Sequence, residues 1–302
     1  MPLTGTVALV TGATSGIGFH TARELPPRVG SYDIVPFRPE RNATLDTLRW
    51  ARKRPVIPSL LEVDVTAARK AIRAWRNRTG KRLSFTAWVV HCVARAAAEH
   101  PRVHAVRRGR RRMVVFHDVD VAVVIERAIA GGEGETVPMP YVVRKANEKS
   151  PAVIHDELHR AKAADVPTGS VAIERASTPW LQAAFFRLPW WLRDLVFWRW
   201  LLRSPTRTKR LMGTVVVTAV GMAAPGVLAW GIPSSLHPLA VGVGGIAQRA
   251  TSSGKVDVLA LTVVFDHAVT DGAPVGRFIR RLHELMTQAE GVAEVEASSG
   301  RP

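Results

Sequence analysis

Apolar and polar positions along the chain follow helical spacing in some stretches and strand spacing in others. Alternation or a short apolar run predicts strands at 60–66, 113–116 and 119–125, with two or three more within 214–266. Helical spacing bounded by caps, glycine or proline predicts helices at 44–54, 67–78, 85–100, 151–164 and 272–289. Because strands and helices do not alternate strictly, the pattern predicts a mixed α/β (α+β) fold rather than a doubly wound sheet.

Residues 211–248 contain no charged side chain, so by hydropathy this long apolar stretch resembles a membrane-spanning segment. Glycines and prolines interrupt this stretch repeatedly, and the apolar runs between them have strand length and β-branched content. Buried strands of a folded sheet explain the stretch without lipid.

Composition and charge restrict the function classes. The 302 residues are 47% hydrophobic and 22% charged, as in a globular protein. The net charge of +17 favours an anionic partner: nucleic acid, an acidic membrane surface or a substrate such as a coenzyme A thioester. A single cysteine, Cys92, excludes an internal disulfide and a zinc site of the cysteine-pair type. With no signal-peptide pattern, we expect a cytoplasmic location. We also expect no metal.

The first 25 residues contain a glycine loop after a short apolar run, with Gly12, Gly16 and Gly18 before a helix start. This resembles the cofactor loop of short-chain dehydrogenases. A dinucleotide site also needs a complete βαβ unit and a later acidic residue, whereas Pro26 and Pro27 stop the helix here. We therefore expect residues 1–30 to be a non-functional fragment that does not use NAD(P). The three glycines would bind a cofactor only if the loop were functional, in an NAD(P)-dependent oxidoreductase.

A second motif lies near the other end of the chain. His267 ends a strongly apolar run, and Asp271 and Gly272 follow where a helix begins. This spacing brings an imidazole and a carboxylate into one strand-to-helix turn, and Gly272 lets the backbone turn without a clash. A structural histidine is the competing interpretation of the motif.

The His-x-x-x-Asp-Gly motif resembles that of chloramphenicol acetyltransferase and of the catalytic domains of 2-oxo acid dehydrogenase dihydrolipoyl acyltransferases. Further blocks resemble the same family in the same order, at residues 56–66, 83–86, 118–123, 142–150 and 213–222. The resemblance implies a chloramphenicol acetyltransferase-like fold with a central mixed sheet and flanking helices. The implied catalytic domain spans 31–290, with an aromatic insertion at 179–204 and a disordered tail at 291–302.

The family resemblance also implies residue roles. His267 would be the general base, and Thr218 would match the hydroxyl that stabilises the oxyanion. Asp271 would fix the loop through an arginine, for which Arg49 is the matching position, and Gly272 is a candidate contact to the cofactor. The implied reaction transfers an acyl group between coenzyme A and a thiol or hydroxyl acceptor. The active site would lie between the subunits of a homotrimer.

Two basic segments keep alternatives open. Residues 179–204 interleave tryptophan and phenylalanine with arginine, and could roof an acyl pocket, lie on an anionic membrane or pack against a neighbouring subunit. A basic turn that includes Arg108 and Arg110 could bind coenzyme A phosphates or be a solvated hairpin. No aromatic stacking pattern supports nucleic acid, which we do not expect as a partner. A non-catalytic trimeric scaffold is the alternative to the enzyme.

Overall fold

The computed structural model describes residues 32–34, 41–128, 136–163, 184–221, 225–252 and 254–292. The elements described from residue 43 onward belong to one compact unit. The larger helices are α1 (Arg41–Ala51), α2 (Thr66–Thr79), α3 (Phe85–Glu99), α4 (Pro151–Ala163), α7 (Pro205–Met212) and α8 (Gly272–Thr287). Short helices α5 (Trp190–Arg193) and α6 (Arg199–Leu202) are joined by a π-helical turn (Asp194–Trp198). Short 3₁₀ helices occupy Pro101–His104 and Ala146–Glu148.

The strands are β1 (Val56–Asp64), β2 (Val106–Arg108), β3 (Arg112–Val114), β4 (Val121–Ala128), β5 (Thr136–Val143), β6 (Val215–Ala219), β7 (Leu239–Thr251) and β8 (Gly254–Asp266). Six of the described strands form one sheet in the order β1-β8-β7-β6-β4-β5, and β2 and β3 form a separate hairpin. The pairs of β6 with β4 and with β7 are parallel, and the other pairs are antiparallel. The predicted mixed sheet with helices is therefore confirmed.

Helix α3 forms the centre of the core. Its residues from Ala87 to Ala94 are all buried, and Trp88 is fully enclosed. Eight consecutive buried residues need neighbours around most of the helix, and α4, α8 and the sheet supply them. Alternate side chains of the strands pack on this helical layer, which defines the first face of the sheet. The remaining side chains point to the second face.

The predicted helix ends are formed by the expected residues. Gly80 closes α2 in the left-handed conformation (φ 67°), and its N–H bonds to the carbonyl of Arg76. The Ser84 hydroxyl accepts a hydrogen bond from the N–H of Ala87 and caps α3. Strand β1 begins at Val56, four residues before the predicted start, and tolerates Pro58 because it is an edge strand. None of the described helices has the length and apolarity needed to cross a membrane.

Candidate active site

His267 is the first residue after β8, the long strand that lies next to the edge strand β1. Its backbone N–H donates to the carbonyl of Pro55 at 2.8 Å, so the end of β8 is tied to the start of β1. Its ring lies 6.2 Å from the ring of Phe265, centroid to centroid, and the residue is exposed on the single chain. The imidazole is therefore at the surface and available to a second molecule.

The buried carboxylate of Asp266 organises the turn that carries His267. Its Oδ1 accepts a hydrogen bond from the Ala268 N–H at 3.0 Å, and its Oδ2 accepts one from Arg54 Nη1 at 2.9 Å. The carbonyl of Asp266 accepts two more bonds, from the N–H groups of Val269 and Thr270. Burial lowers the pKa of the Arg54 guanidinium, and the Asp266 carboxylate opposes that shift. The turn is thus held by several bonds to one residue before any substrate arrives.

Asp271 stands at the N-cap position of α8 in an extended conformation. Among the described residues its carboxylate has no ion-pair or hydrogen-bond partner, and it is exposed. The expected pair with Arg49 is not formed, because Arg49 Nη1 donates to Asp46 Oδ1 at 3.3 Å and its guanidinium lies over the ring of Trp190. The arginine at the turn is Arg54, which sequence reasoning missed. Its only sequence signal is its place just before the predicted first strand.

Thr218 lies on β6 in the register that the sheet fixes. Its neighbours Val217 and Ala219 pack on the helical layer, so alternation directs the half-buried Thr218 side chain to the second face. Thr218 pairs with Gly242 on β7, and Gly242 pairs with Thr262 on β8. The three residues form one row across the sheet.

This row shows how far apart the two predicted catalytic groups lie. His267 is five residues beyond Thr262 along the chain, and Thr218 is two strands away from Thr262. At about 3.3 Å per residue and 4.8 Å per strand, the backbones of His267 and Thr218 are about 19 Å apart. One chain therefore carries both groups at separate places and does not bring them together.

A cavity of about 600 Å³ opens beyond the end of β6. Its lining includes Ala219, Gly221, Phe85 at the start of α3, and Arg69 and Arg73 of α2. Arg69 is held by Asp257 at 2.9 Å, whereas Arg73 is exposed. The cavity lies at the Thr218 end of β6, and it combines apolar walls with cationic side chains.

The other predicted contacts lie elsewhere. Gly272 opens α8 and has open space around it. Arg108 and Arg110 lie in the exposed β2–β3 hairpin, which contacts α7. The glycine loop and residues 293–302 lie outside the described residues. Among the residues that the structure describes, no group of three or more His, Cys, Asp or Glu side chains is arranged to hold a metal ion.

Comparison with models of known protein families gave a match to the first part of the chain. Residues 29–166 match the model of the 2-oxoacid dehydrogenases acyltransferase (catalytic domain). The predicted resemblance is confirmed. A search of curated proteins gave no match.

Solved structures of dihydrolipoamide acetyltransferase cores share the fold. The probable enzyme of Listeria monocytogenes superposes with a TM-score of 0.60 at 18% identity, covering 86% of this chain and 96% of that one. The Azotobacter vinelandii enzyme gives 0.60 at 15% identity, covering 88% and 96%. A truncated catalytic core from the Thermoplasma acidophilum 2-oxoacid dehydrogenase complex gives 0.59 at 17% identity, covering 85% and 99%. At these identities the superpositions establish the fold.

Proposed function

We propose that the protein is an acyltransferase that moves an acyl group between a coenzyme A thioester and a thiol or hydroxyl acceptor. The observation that carries the proposal is the exposed His267 on a turn fixed by Asp266, in a chain with the acetyltransferase-core fold. An exposed imidazole on a rigid turn can take a proton from a nucleophile that is presented to it.

The reaction then needs only groups that the chain supplies. His267 takes the proton of the acceptor as its oxygen or sulfur attacks the thioester carbonyl. The Thr218 hydroxyl donates a hydrogen bond to the oxyanion of the tetrahedral intermediate. When the carbon–sulfur bond breaks, the coenzyme A sulfur takes the proton from the imidazolium, and the enzyme returns to its starting state.

The distance of about 19 Å between the two backbones requires that His267 and Thr218 come from different copies. Apolar side chains are exposed on or beside the second face, where Leu60 is 56%, Val124 37% and Val220 52% exposed. A second copy whose His267 edge approached this surface would cover them. Such a contact joins two different surfaces, and contacts of this kind give a ring when the rotation between neighbours closes and a filament when it does not. We propose the closed ring, as the homotrimer that the family resemblance implies.

The test is complementation between His267→Ala and Thr218→Val chains, each inactive alone. We expect losses of about 10²–10⁴-fold for the base and about 10²–10³-fold for the oxyanion donor. In a ring assembled from equal amounts of the two variants, a site works only if both contributing chains carry the intact residue. Each of the two required chains carries its intact residue with a probability of about one half, so about a quarter of the wild-type activity should be recovered.

Thr262→Val is the matched control, because Thr262 shares the row of Thr218 and its buried hydroxyl has no hydrogen-bond partner among the described residues. It should leave activity unchanged. Release of coenzyme A can be followed with a thiol reagent, since Cys92 is buried and burial raises the pKa of its thiol. Two inactive variants that restore nothing when mixed would refute the shared site. Full activity of His267→Ala would refute the acyltransfer mechanism itself.

A further inference from the structure

Five large apolar side chains are exposed along the helical segment that runs from α5 to α6. We call this set the aromatic face, and it consists of Trp190, Trp191, Leu195, Val196 and Trp200. Each of these side chains is between 47% and 59% exposed. Single exposed apolar residues are ordinary, but five large ones on one short segment mark an interaction surface.

The opposite side of the same segment fixes its orientation. Arg193 is buried and forms two hydrogen bonds to the carboxylate of Asp46, at 2.7 and 2.9 Å. Trp50 donates from its indole nitrogen to Asp194 at 2.7 Å, and Leu201 is fully buried. Most of the aromatic face therefore points outward, because the other side of the segment is anchored to α1, whereas Trp190 lies at the edge of the face beside Arg49 of α1.

Positive charge surrounds the aromatic face. The described residues 184–212 contain seven basic side chains and one acidic one, and that acid accepts the bond from Trp50. Arg193 pairs with Asp46 and Lys209 lies 3.7 Å from Asp120, which leaves five of the seven for a partner. The Arg49 guanidinium lies over the Trp190 ring at 5.2 Å, and that of Arg207 over Trp200 at 4.4 Å. A cavity of about 490 Å³ beside Trp190 is lined by Arg49 and by two further exposed cations of the turn after α1, Arg52 and Lys53.

We propose that the aromatic face docks on the surface of an anionic lipid bilayer. Tryptophan and leucine side chains would enter the boundary between headgroups and acyl chains, and the surrounding arginines would contact the lipid phosphates. The 13-residue segment is about 20 Å long, too short to cross the hydrocarbon core of about 30 Å, so it lies in the plane of the interface. Two copies facing each other here would bring the same cations together, which disfavours self-association.

The experiment is co-sedimentation of the full chain with phosphatidylcholine vesicles, with and without about one third phosphatidylglycerol. We expect binding to the anionic vesicles only, weakened by salt because the charge contribution is screened. Leu195→Ser/Val196→Ser should abolish it. Arg199→Gln/Arg203→Gln should weaken it about 25-fold, at about fivefold for each cation removed.

Two controls separate the effect of this surface from that of overall charge and from that of losing a tryptophan elsewhere. Arg110→Gln/Arg111→Gln removes the same charge from the exposed β2–β3 hairpin and should leave vesicle binding within about fivefold of wild type. Trp75→Ser removes a half-buried tryptophan on α2, whose ring also has an arginine guanidinium over it, that of Arg78 at 5.7 Å, and it should leave vesicle binding unchanged. Circular dichroism should show that all variants are folded.

Several outcomes would overturn the proposal. They are absence of binding to anionic vesicles, equal loss of binding in the hairpin variant, and a change of oligomeric state in Leu195→Ser/Val196→Ser. The last result would make the aromatic face a contact between copies. Acyl transfer to a soluble acceptor is measured separately, so failure of the membrane proposal leaves the proposed enzyme function standing.

Discussion

Replacing Arg54 tests how the turn with His267 is held. The guanidinium of Arg54 meets Asp266 at 2.9 Å, and the two side chains are 21% and 6% exposed. Arg54→Gln leaves a buried carboxylate without its cation, and breaking such pairs costs about 3–5 kcal/mol. Because Arg54 is one-fifth exposed, we expect a loss near the lower limit, about 3 kcal/mol.

The matched control is Arg249→Gln on the same sheet. Arg249 also pairs with a carboxylate across strands, Glu62, but the two side chains are 50% and 38% exposed. Water replaces that partner, so we expect no measurable loss of stability. Urea unfolding at one fixed protein concentration compares the two variants.

A double variant identifies the cause of the loss. Arg54→Gln/Asp266→Asn removes the unpaired charge and keeps an oxygen that accepts the bond from Ala268, so it should recover most of the lost stability. Activity should fall about 10²-fold in Arg54→Gln, because a displacement of about 1 Å of His267 suffices for that. Equal stability of the Arg54 and Arg249 variants, or no recovery in the double variant, would refute the reasoning.

Three further expectations concern the core and the pH dependence of stability. Asp46→Ala should destabilise the protein by about 3–5 kcal/mol in urea unfolding, since it leaves the buried Arg193 cation unpaired. Gly244→Ala should lower the melting temperature sharply, because its Cβ would overlap the backbone carbonyl oxygens of Ala229 and Ala260. Gly276→Ala in α8 meets nothing within 4 Å and should raise the melting temperature slightly. Burial lowers the pKa of His104 to about 4 in the folded protein. Between about pH 6.5 and pH 4 the unfolded chain therefore binds a proton at this imidazole and the folded protein does not. The free energy of unfolding should fall by about 2 kcal/mol from pH 7 to pH 5 on this account, and His104→Gln should remove that part of the fall.

The helices were predictable because their signals are local. A glycine at the end of α2 and a serine before α3 act on neighbouring backbone groups, and the structure uses both as expected. The predicted motif residue His267 lies at the end of an apolar strand for the same reason. Such features depend on a few consecutive residues, so they can be predicted from a single sequence.

The arginine of the turn could not be predicted, because its role depends on a pairing between distant strands. Arg49 and Arg54 lie five positions apart and look alike in the sequence. Only the antiparallel register of β1 with β8, which places Val56 opposite Asp266, brings Arg54 to the turn. Arg49 instead forms an ion pair with Asp46 on its own helix.

The buried pair of Asp46 with Arg193 escaped prediction for a related reason. In the sequence Arg193 is one of several arginines that interrupt the aromatic segment, and burial of a charge cannot be inferred from such a pattern. The pair joins positions 147 residues apart, and it determines which side of the segment faces outward. The aromatic residues could be read from the sequence, but the direction in which their side chains point depends on this contact.

The separation of His267 from Thr218 within one chain bears on why the His267 side chain is exposed. An imidazole exposed on one chain would be open to water, which competes with the acceptor for an acyl group. In the proposed ring the second face of the next copy covers it, so the same residue becomes enclosed when the site becomes complete. The single chain would then carry two half-sites at separate positions on its sheet, and assembly would both supply the oxyanion donor and exclude water. Formation of the ring would therefore be the step that creates the enzyme, and an isolated chain would have no complete site at all.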